Sequence, residues 1–265
     1  KIENLNSFIE KNSLKFPYSI LSKIAELSNT ARTENSAYYT SQDICYSVIK
    51  DLPEPKEFKN LKILEPSIGV GNFLPLLIEK YKTVTEVIID VVDIDENSIN
   101  TLKLLLKTLE IPKNITINFI NSDFLLYNFE NRYDIVVGNP PFKKITNEKV
   151  LLASYKKGIF NTETNNIFSF FIEKSLKLGN VVALIIPKSL INSPEFNKTR
   201  ELLENLKVKK ITDYGEKGFK GVKIETISFI AYTQKKSNNN VIEIESYITK
   251  EISIKKQEYI FSKDF

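Results

Sequence analysis

The sequence predicts an α/β protein with a mostly parallel, seven-stranded sheet and helices on both faces. Short apolar runs alternate with amphipathic helical patterns along most of the chain, which is typical of βαβ units. A glycine-bearing turn follows the first apolar run, and an acidic or amide side chain follows several of the others. Because open α/β sheets bind ligands at the carboxyl ends of their strands, these polar positions predict a ligand site.

Seven short runs rich in Ile, Val and other apolar residues predict the strands, since polar or turn-forming residues bound each of them. In chain order the runs are residues 62–64, 86–92, 115–121, 135–137, 181–186, 210–213 and 226–233. Helices are predicted where apolar residues recur at three- and four-residue spacing. The clearest helical patterns cover residues 41–51, 71–81, 97–109, 166–178 and 193–205.

We expect residues 1–236 to form one domain, in which residues 1–35 are an N-terminal helical extension. The polar stretch 235–240 interrupts the alternation of strands and helices and predicts a boundary. Residues 237–265 then form a short C-terminal segment, in which apolar and polar residues alternate as they do in edge strands.

The composition excludes several kinds of chemistry. The chain has 265 residues with no His, so Ser-His-Asp hydrolysis, His general-base catalysis and His-ligated metal sites are unavailable within it, and we predict no metal. Cys45 is the single cysteine, which agrees with a reducing compartment. Without a signal-peptide pattern or an apolar run of membrane length, the sequence predicts a cytoplasmic protein with no membrane partner.

Residues 61–73, LKILEPSIGVGNF, combine a strand, an acidic residue, a glycine-bearing loop and the start of an apolar helix. Gly69 and Gly71 would let a ligand approach the backbone closely, and the helix would present N–H groups to a polar or anionic ligand. No Gly-Lys-Ser/Thr follows the glycines, so a P-loop is not supported. A purely steric need for glycine in a tight turn is the alternative explanation.

Acidic residues also end the next two predicted strands. Asp93 follows the glycines by about twenty residues, where dinucleotide-binding folds place a carboxylate that accepts from ribose hydroxyls. Asp123 and Phe124 offer an acceptor for an adenine amino group and a surface for the adenine plane. Either Asp could instead cap a helix. Three strand ends that all suit one adenosine favour a nucleotide-like cofactor.

Residues 134–142, DIVVGNPPF, form an apolar strand that two prolines terminate. Pro140 and Pro141 donate no backbone hydrogen bonds, so nearby carbonyls are held in place and remain free to accept. Asn139 adds a side-chain acceptor, and Phe142 adds a face on which a heterocycle can stack. The combination suits a planar amine such as the exocyclic amino group of a base. The alternative is a rigid strand-to-loop turn with a buried Phe.

The order of these motifs, beginning with Tyr38-Tyr39-Thr40, resembles the S-adenosylmethionine-dependent DNA methyltransferases that methylate amino groups, over roughly residues 30–234. It is similar to the gamma class of adenine-N6 enzymes, in which the cofactor segment precedes the catalytic turn and a recognition domain comes last. The resemblance implies a Rossmann-like class I methyltransferase fold with S-adenosylmethionine as cofactor. Ser67-Ile68 departs from the commoner Ala-Cys-type pair and leaves the turn intact.

The resemblance also assigns roles to residues. It implies that Asn139, Pro140 and Phe142 are catalytic, and that Phe142 and Phe219 stack on the target base. The cofactor contacts that it implies are made by Thr40, Glu65, Ser67, Gly69, Gly71, Asp93, Ile94, Asp123 and Phe124. Lys143, Lys144 and Lys220 could contact DNA phosphates, which is compatible with a net charge of +4, although a solvated Lys-rich surface is the alternative for each lysine.

The expected function is methylation of N6 in a flipped adenine of double-stranded DNA, in a restriction-modification setting. We expect the recognition domain, and a possible endonuclease partner, on a longer or separate chain, since too few residues follow position 234 to form one. The alternatives are methylation of another planar amine, namely cytosine N4, an rRNA base or protein glutamine, and a non-catalytic nucleic-acid-binding subunit of the same fold. A nicotinamide oxidoreductase would need a third glycine that Asn72-Phe73-Leu74 does not supply.

Overall fold

The computed structural model describes residues 2–28, 40–216, 224–235 and 239–261. The chain divides into two compact units, Lys1–Phe124 and Leu125–Phe265. Within the described ranges, no helix combines the length and the apolar character that crossing a bilayer requires.

The first unit contains three strands and five α-helices among its described residues. In chain order they are α1 (Ile2–Asn12), α2 (Tyr18–Ser28), α3 (Gln42–Ile49), β1 (Asn60–Glu65), α4 (Leu74–Tyr81), β2 (Glu86–Asp93), α5 (Glu96–Leu106) and β3 (Ile115–Asn121). A short 3₁₀ turn, Pro55–Glu57, precedes β1.

The strands of the first unit run parallel in the order β3-β2-β1. Ile89 at the middle of β2 pairs with Ile63 of β1 on one side and with Ile117 of β3 on the other. Since parallel strands present their carboxyl ends at one edge of a sheet, the residues that end β1, β2 and β3 come together there. This edge positions the polar strand ends that the sequence singled out.

The N-terminal residues are folded onto the first unit. Helices α1 and α2 pack against α5, and the Thr101 hydroxyl donates a hydrogen bond of 3.1 Å to Asn6 Oδ1. In the segment predicted as a helical extension, residues 1–35, the structure contains α1 and α2, and residues 29–39 lie outside the described residues.

The second unit contains six strands and five α-helices in the part of the chain that the structure describes. They are β4 (Tyr133–Gly138), α6 (Lys149–Lys156), α7 (Ile167–Leu178), β5 (Gly179–Pro187), α8 (Ser189–Asn192), α9 (Asn197–Glu204), β6 (Leu206–Gly215), β7 (Thr226–Lys235), β8 (Val241–Ser246), β9 (Ile252–Lys256) and α10 (Glu258–Phe261). A 3₁₀ turn, Pro194–Phe196, connects α8 to α9.

The strands of the second unit are ordered β4-β5-β7-β6-β8-β9. β4 runs parallel to β5, β7 lies antiparallel between β5 and β6, β8 runs parallel to β6, and β9 is an antiparallel edge strand. Because β5 and β6 both run antiparallel to β7, the carboxyl ends of β4, β5 and β6 share one edge.

The predicted α/β class with a mostly parallel sheet is confirmed, and the seven predicted strands correspond to β1 through β7. The strand number differs, because β8 and β9 bring the described total to nine. These two strands come from the C-terminal segment that alternates apolar and polar residues. The boundary predicted near residue 236 falls between β7 and β8, and β8 pairs with β6 inside the second unit.

Candidate cofactor site and catalytic turn

The turn between β1 and α4 depends on glycine at two positions. Gly69 has a φ of +53° and Gly71 has a φ of +74°, a left-handed conformation that residues with a Cβ rarely adopt. A Cβ on Gly71 would lie 2.6 Å from Leu102 Cδ1 and 2.8 Å from the Tyr18 hydroxyl, whereas a Cβ on Gly69 would have no protein atom within 4 Å. Gly71 therefore serves close packing, and Gly69 leaves open space beside the backbone.

Hydrogen bonds join this glycine turn to the end of β2. Ile68 N donates to Val92 O at 2.9 Å, and Gly69 N donates to Asp93 Oδ2 at 2.8 Å. The Asp93 carboxylate therefore bonds directly to the turn that the sequence proposed as the cofactor-binding segment. Gly69, which follows β1, and Asp93, which ends β2, are both predicted site residues, and they are in contact.

Tyr18 at the start of α2 contacts the same turn from the N-terminal helices. Its hydroxyl lies 2.6 Å from Val70 O and 2.9 Å from Gly71 O and donates its one proton to this pair of carbonyls. The sequence did not reveal this residue, because its partners are more than fifty positions away and nothing near Tyr18 marks it. Tyr18 is thus a functional candidate that only the fold identifies.

Glu65, the last residue of β1, is 2% exposed. Burial, together with the neighbouring Asp93 carboxylate, raises the pKa of Glu65 well above its ordinary value. Its Oε2 atom is buried and has no hydrogen-bond partner in the described part of the chain. An unsatisfied buried acceptor is costly, so this oxygen of Glu65 favours contact with a hydrogen-bond donor.

A second buried acceptor lies in the same turn. Asn72 Oδ1 is also without a hydrogen-bond partner among the described residues. Its amide Nδ2 donates to Glu26 Oε2 at 3.4 Å, and its backbone carbonyl accepts from Gln42 Nε2 at 3.1 Å. The contacts from α2 and α3 fix Asn72 while its side-chain oxygen stays available to a donor.

Asp93 and Asp95 have different roles at the end of β2. Asp95 is the N-cap of α5, because its Oδ1 accepts from Asn97 N at 3.1 Å. Asp93 instead accepts from Gly69 N and, through Oδ1, from Asp95 N at 2.9 Å. Burial raises the pKa of Asp93 from its ordinary 3.8 to about 6, although these two N–H groups lower it in part. The helix-capping alternative therefore applies to Asp95 and not to Asp93.

The end of β3 is hydrogen-bonded to the end of β2. Asn121 Nδ2 donates to Asp93 O at 3.0 Å and to Ile94 O at 3.2 Å. Ile94 is 65% exposed, which leaves an apolar surface beside the acidic residue, whereas Phe124 is only 2% exposed and Asp123 is half-buried. The predicted strand ends of β1, β2 and β3 thus form one connected edge.

Of the remaining predicted cofactor contacts, Ser67 is half-buried within the turn. Thr40 lies two residues before α3 and is buried, with its carbonyl 3.9 Å from Cys45 Sγ. Tyr38 and Tyr39 lie outside the described residues.

The second unit contains the predicted catalytic turn, directly after the buried strand β4. Asn139 and Phe142 are half-buried and Pro140 is buried. The Phe142 ring meets Phe168 of α7 edge to face, with ring centroids 6.2 Å apart and an interplanar angle of 72°. Such a contact restrains the ring of Phe142 without covering it entirely.

The lysines after this turn are paired with carboxylates. Lys143 Nζ lies 3.4 Å from Glu148 Oε1, and Lys144 Nζ lies 3.6 Å from Glu195 Oε1. Both lysine side chains are more than one-third exposed, so these ion pairs contribute little to stability and can exchange partners. Phe219 and Lys220, predicted to contact the base and a phosphate, lie outside the described residues. Within those residues, no group of three or more His, Cys, Asp or Glu side chains is arranged to hold a metal ion.

The sequence profile of the family described as Eco57I restriction-modification methylase matches residues 74–219. Among curated relatives, the type II methyltransferase M.CvrRI of Paramecium bursaria Chlorella virus XZ-6E is 24% identical over 209 residues, which are 77% of this chain and 50% of the relative. The type II methyltransferase M.VspI of Vibrio sp. (strain 343) is 28% identical over 201 residues, which are 74% of this chain and 47% of the relative. The chain therefore spans about half the length of these relatives.

Solved structures give the same fold. A protein from Listeria monocytogenes, described as a class I S-adenosylmethionine-dependent methyltransferase, matches with a TM-score of 0.69 at 17% identity over 93% of this chain and 75% of its own. The methyltransferase subunit of a type I restriction-modification system from Streptococcus thermophilus matches with a TM-score of 0.64 at 16% identity over 79% of this chain and 47% of its own. The predicted Rossmann-like class I methyltransferase fold is confirmed.

Proposed function

Because the chain belongs to the Eco57I restriction-modification methylase family, we propose that it transfers a methyl group from S-adenosylmethionine to N6 of a flipped adenine in double-stranded DNA. Family and fold together imply S-adenosylmethionine as the cofactor. The observation that carries the choice of target is the Asn139-Pro140-Pro141-Phe142 turn directly after β4. An amide, fixed carbonyls and an aromatic ring suit a planar amine on a heterocycle.

The residues at the edge of the first unit fit the cofactor. Glu65 Oε2 is buried and has no hydrogen-bond partner among the described residues, so it suits the ammonium group at the methionine end, since a charged donor satisfies a buried carboxylate best. Asp93 keeps lone pairs for ribose hydroxyls, Asp123 would accept from the adenine amino group, and Ile94 would cover the adenine plane. Further contacts would come from Thr40, Ser67, Gly69, Gly71 and Phe124. When bound, the cofactor supplies a methyl group made electrophilic by a positively charged sulfur.

The catalytic turn activates the amine by accepting its hydrogens. Adenine N6 is a poor nucleophile, because its lone pair is delocalised into the ring. Asn139 Oδ1 and the Pro140 carbonyl would accept the two N6 hydrogens, which favours a pyramidal nitrogen and concentrates electron density on it. The methylated nitrogen is cationic and acidic, so water can take its proton. A strong base is therefore unnecessary, which agrees with a sequence that contains no His.

The target base must leave the duplex before its N6 is reachable. Stacking on Phe142 and Phe219 would offset part of the cost of unstacking. Lys143, Lys144 and Lys220 would contact phosphates, and for Lys143 and Lys144 this means exchanging their carboxylate partners for phosphate oxygens. A recognition domain and an endonuclease on a longer or separate chain would supply sequence specificity and restriction.

The test is a comparison of Asn139→Ala with the wild-type protein. Methyl transfer to unmethylated bacterial DNA should fall about 100-fold or more in the variant, the loss typical of removing one preorganised acceptor or donor. Calorimetry should give an affinity for S-adenosylmethionine within about 2-fold of wild type, because Asn139 makes no contact with the cofactor in this proposal. Asn180→Ala, an exposed asparagine in β5, is the matched control and should leave the rate unchanged.

Each alternative predicts a different result in the same assay. Retained turnover in Asn139→Ala would remove this residue from the mechanism. Methyl transfer to RNA or protein in place of DNA would assign another planar amine as target. Folded protein that binds no S-adenosylmethionine would identify a non-catalytic nucleic-acid-binding subunit.

A further inference from the structure

A short strand-like pairing fixes the backbone that follows Phe142. Ile167 N donates to Lys143 O at 3.0 Å, and Ile145 N donates to Asn165 O at 3.0 Å. Between these bonds, Lys144 and Asn166 form an antiparallel bridge. We call this pairing of residues 143–145 with residues 165–167 the clip. Since the clip begins one residue after Phe142, its geometry limits where that ring can lie.

A single carboxylate contacts both sides of the clip. Glu195 Oε2 accepts from Thr164 Oγ1 at 2.7 Å and from Asn166 Nδ2 at 3.0 Å, on one side. Glu195 Oε1 lies 3.6 Å from Lys144 Nζ, on the other. Hydrogen bonds to an ionised acceptor are stronger than neutral ones, so the first two contacts hold the 164–166 segment most firmly.

The turn that carries Glu195 also supports the aromatic ring of the catalytic turn. Glu195 lies in the 3₁₀ turn Pro194–Phe196, and the Phe196 ring packs against Phe168 with centroids 4.8 Å apart. Phe168 in turn makes the edge-to-face contact with Phe142. The buried Asn161 fixes the backbone of this turn, since its Nδ2 donates to Glu195 O at 2.9 Å.

We propose that Glu195 is a positioning residue for methyl transfer, which holds the clip and thereby the backbone that follows Phe142, while the Phe196 and Phe168 rings support the Phe142 ring. The proposal rests on the proposed function and adds a residue that acts without touching the base. A misplacement of about 1 Å can cost about 100-fold in rate, so loosening the clip should lower the rate of transfer. The ion pair with Lys144 contributes little, because both side chains are partly exposed.

The test compares Glu195→Ala and Glu195→Gln in the full chain. Gln can keep both hydrogen bonds, because Thr164 Oγ1 and Asn166 Nδ2 donate to the same oxygen of Glu195 and an amide oxygen can accept both. Glu163→Ala is the matched control, since Glu163 lies close by, is about half exposed and pairs with Lys198 at 3.1 Å. The measurements are kcat on unmethylated bacterial DNA at saturating S-adenosylmethionine, the affinity for S-adenosylmethionine, and the unfolding midpoint.

We expect kcat to fall about 10- to 100-fold in Glu195→Ala and to recover to within about 3-fold of wild type in Glu195→Gln. The affinity for S-adenosylmethionine and the rate of Glu163→Ala should stay within about 2-fold of wild type. If the wild-type protein transfers no methyl group, the proposed function fails. If the wild type is active and Glu195→Ala matches it, or if Gln gives no recovery, the positioning role is overturned.

Discussion

At the scale of single residues, the Tyr18 hydroxyl bonds the glycine turn from the N-terminal helices. Tyr18→Phe removes the hydroxyl that donates to Val70 O and Gly71 O, so these buried carbonyls lose that hydrogen bond. A net hydrogen bond contributes about 0.5–1.5 kcal/mol, so we expect S-adenosylmethionine to bind about 2- to 10-fold more weakly. Calorimetric titration measures this. Tyr46→Phe, at a tyrosine that is 60% exposed on α3, should bind as wild type does. Equal affinities in all three proteins would contradict a role for Tyr18.

The raised pKa of Asp93 predicts a dependence of stability and binding on pH. Because burial raises its pKa from 3.8 to about 6, Asp93 holds its proton more tightly in the folded than in the unfolded protein. Its contribution to the free energy of unfolding is therefore greatest below about pH 4 and is lost as the pH rises through about 6. Donors such as ribose hydroxyls favour the ionised carboxylate, so S-adenosylmethionine should bind more tightly at about pH 7 than at about pH 5.

Asp93→Asn is the comparison for this prediction, since its side chain cannot ionise. The change in affinity between the two pH values, measured by calorimetry, should be smaller in Asp93→Asn than in wild type. An identical change in both proteins would show that Asp93 does not couple its ionisation to cofactor binding.

The residues of the candidate site differ in how far the sequence reveals them. Asp93 follows a strand, and the sequence left open whether it binds a ligand or caps a helix; the structure shows that Asp95 and not Asp93 caps α5, and that Asp93 accepts from Gly69 N. Tyr18, Asn121 and Glu195 could not be found in this way. Their partners are defined by the fold. Tyrosine, asparagine and glutamate are common residue types on protein surfaces and at the ends of helices and strands, so their presence in the sequence does not mark a site.

At the scale of elements, β8 is attached to β6 by buried charges. Lys210 of β6 is 5% exposed, and its Nζ lies 2.8 Å from Glu243 Oε1 and 2.6 Å from Glu245 Oε2 on β8. Gln257 directly follows β9. Its Nε2 lies within hydrogen-bond distance of three carbonyls at the end of α9 and the start of β6, those of Leu203, Glu204 and Leu206. The segment that the sequence placed after a boundary is therefore joined to the second unit through its interior.

Lys210→Met should destabilise the second unit by about 3–5 kcal/mol, because it leaves the buried Glu245 carboxylate without its cation. Urea unfolding monitored by circular dichroism measures the loss. Replacing both partners, as in Lys210→Met combined with Glu245→Leu, should recover most of the stability, since apolar pairs of similar volume can replace buried ion pairs. The control Lys207→Met, at an exposed lysine of β6, should stay within about 0.5 kcal/mol of wild type. A similarly small loss of stability in Lys210→Met would contradict a stabilising role for the buried ion pair between Lys210 and Glu245.

Most elements could be predicted from the sequence, because their apolar patterns are local. The predicted strand at 115–121 and the observed β3 have the same bounds, and the helix predicted at 166–178 begins one residue before α7. The position of β7 between β5 and β6 could not be predicted, since strand order depends on contacts between distant segments. The same reason explains why alternation alone identified β8 and β9 as edge-like but could not predict that β8 pairs with β6 and β9 with β8.

At the scale of the whole molecule, the proposal of methyl transfer rests on two sets of residues. One set surrounds the glycine turn of the first unit and fits a nucleoside cofactor with an ammonium group. The other set forms the amide-proline-aromatic turn of the second unit and fits a planar amine. The chain belongs to the Eco57I restriction-modification methylase family and spans about half the length of the relatives compared with it.

The central claim is that this protein methylates adenine at N6, and the modified base itself tests it most directly. The protein would be produced in a bacterial host whose DNA lacks methylated bases, and the host DNA would be digested to nucleosides and analysed by mass spectrometry. We predict that the digest contains N6-methyldeoxyadenosine. This nucleoside should be absent when Asn139→Ala is produced at the same level. N4-methylcytosine in its place, or unmodified DNA from cells that contain folded protein able to bind S-adenosylmethionine, would contradict the claim.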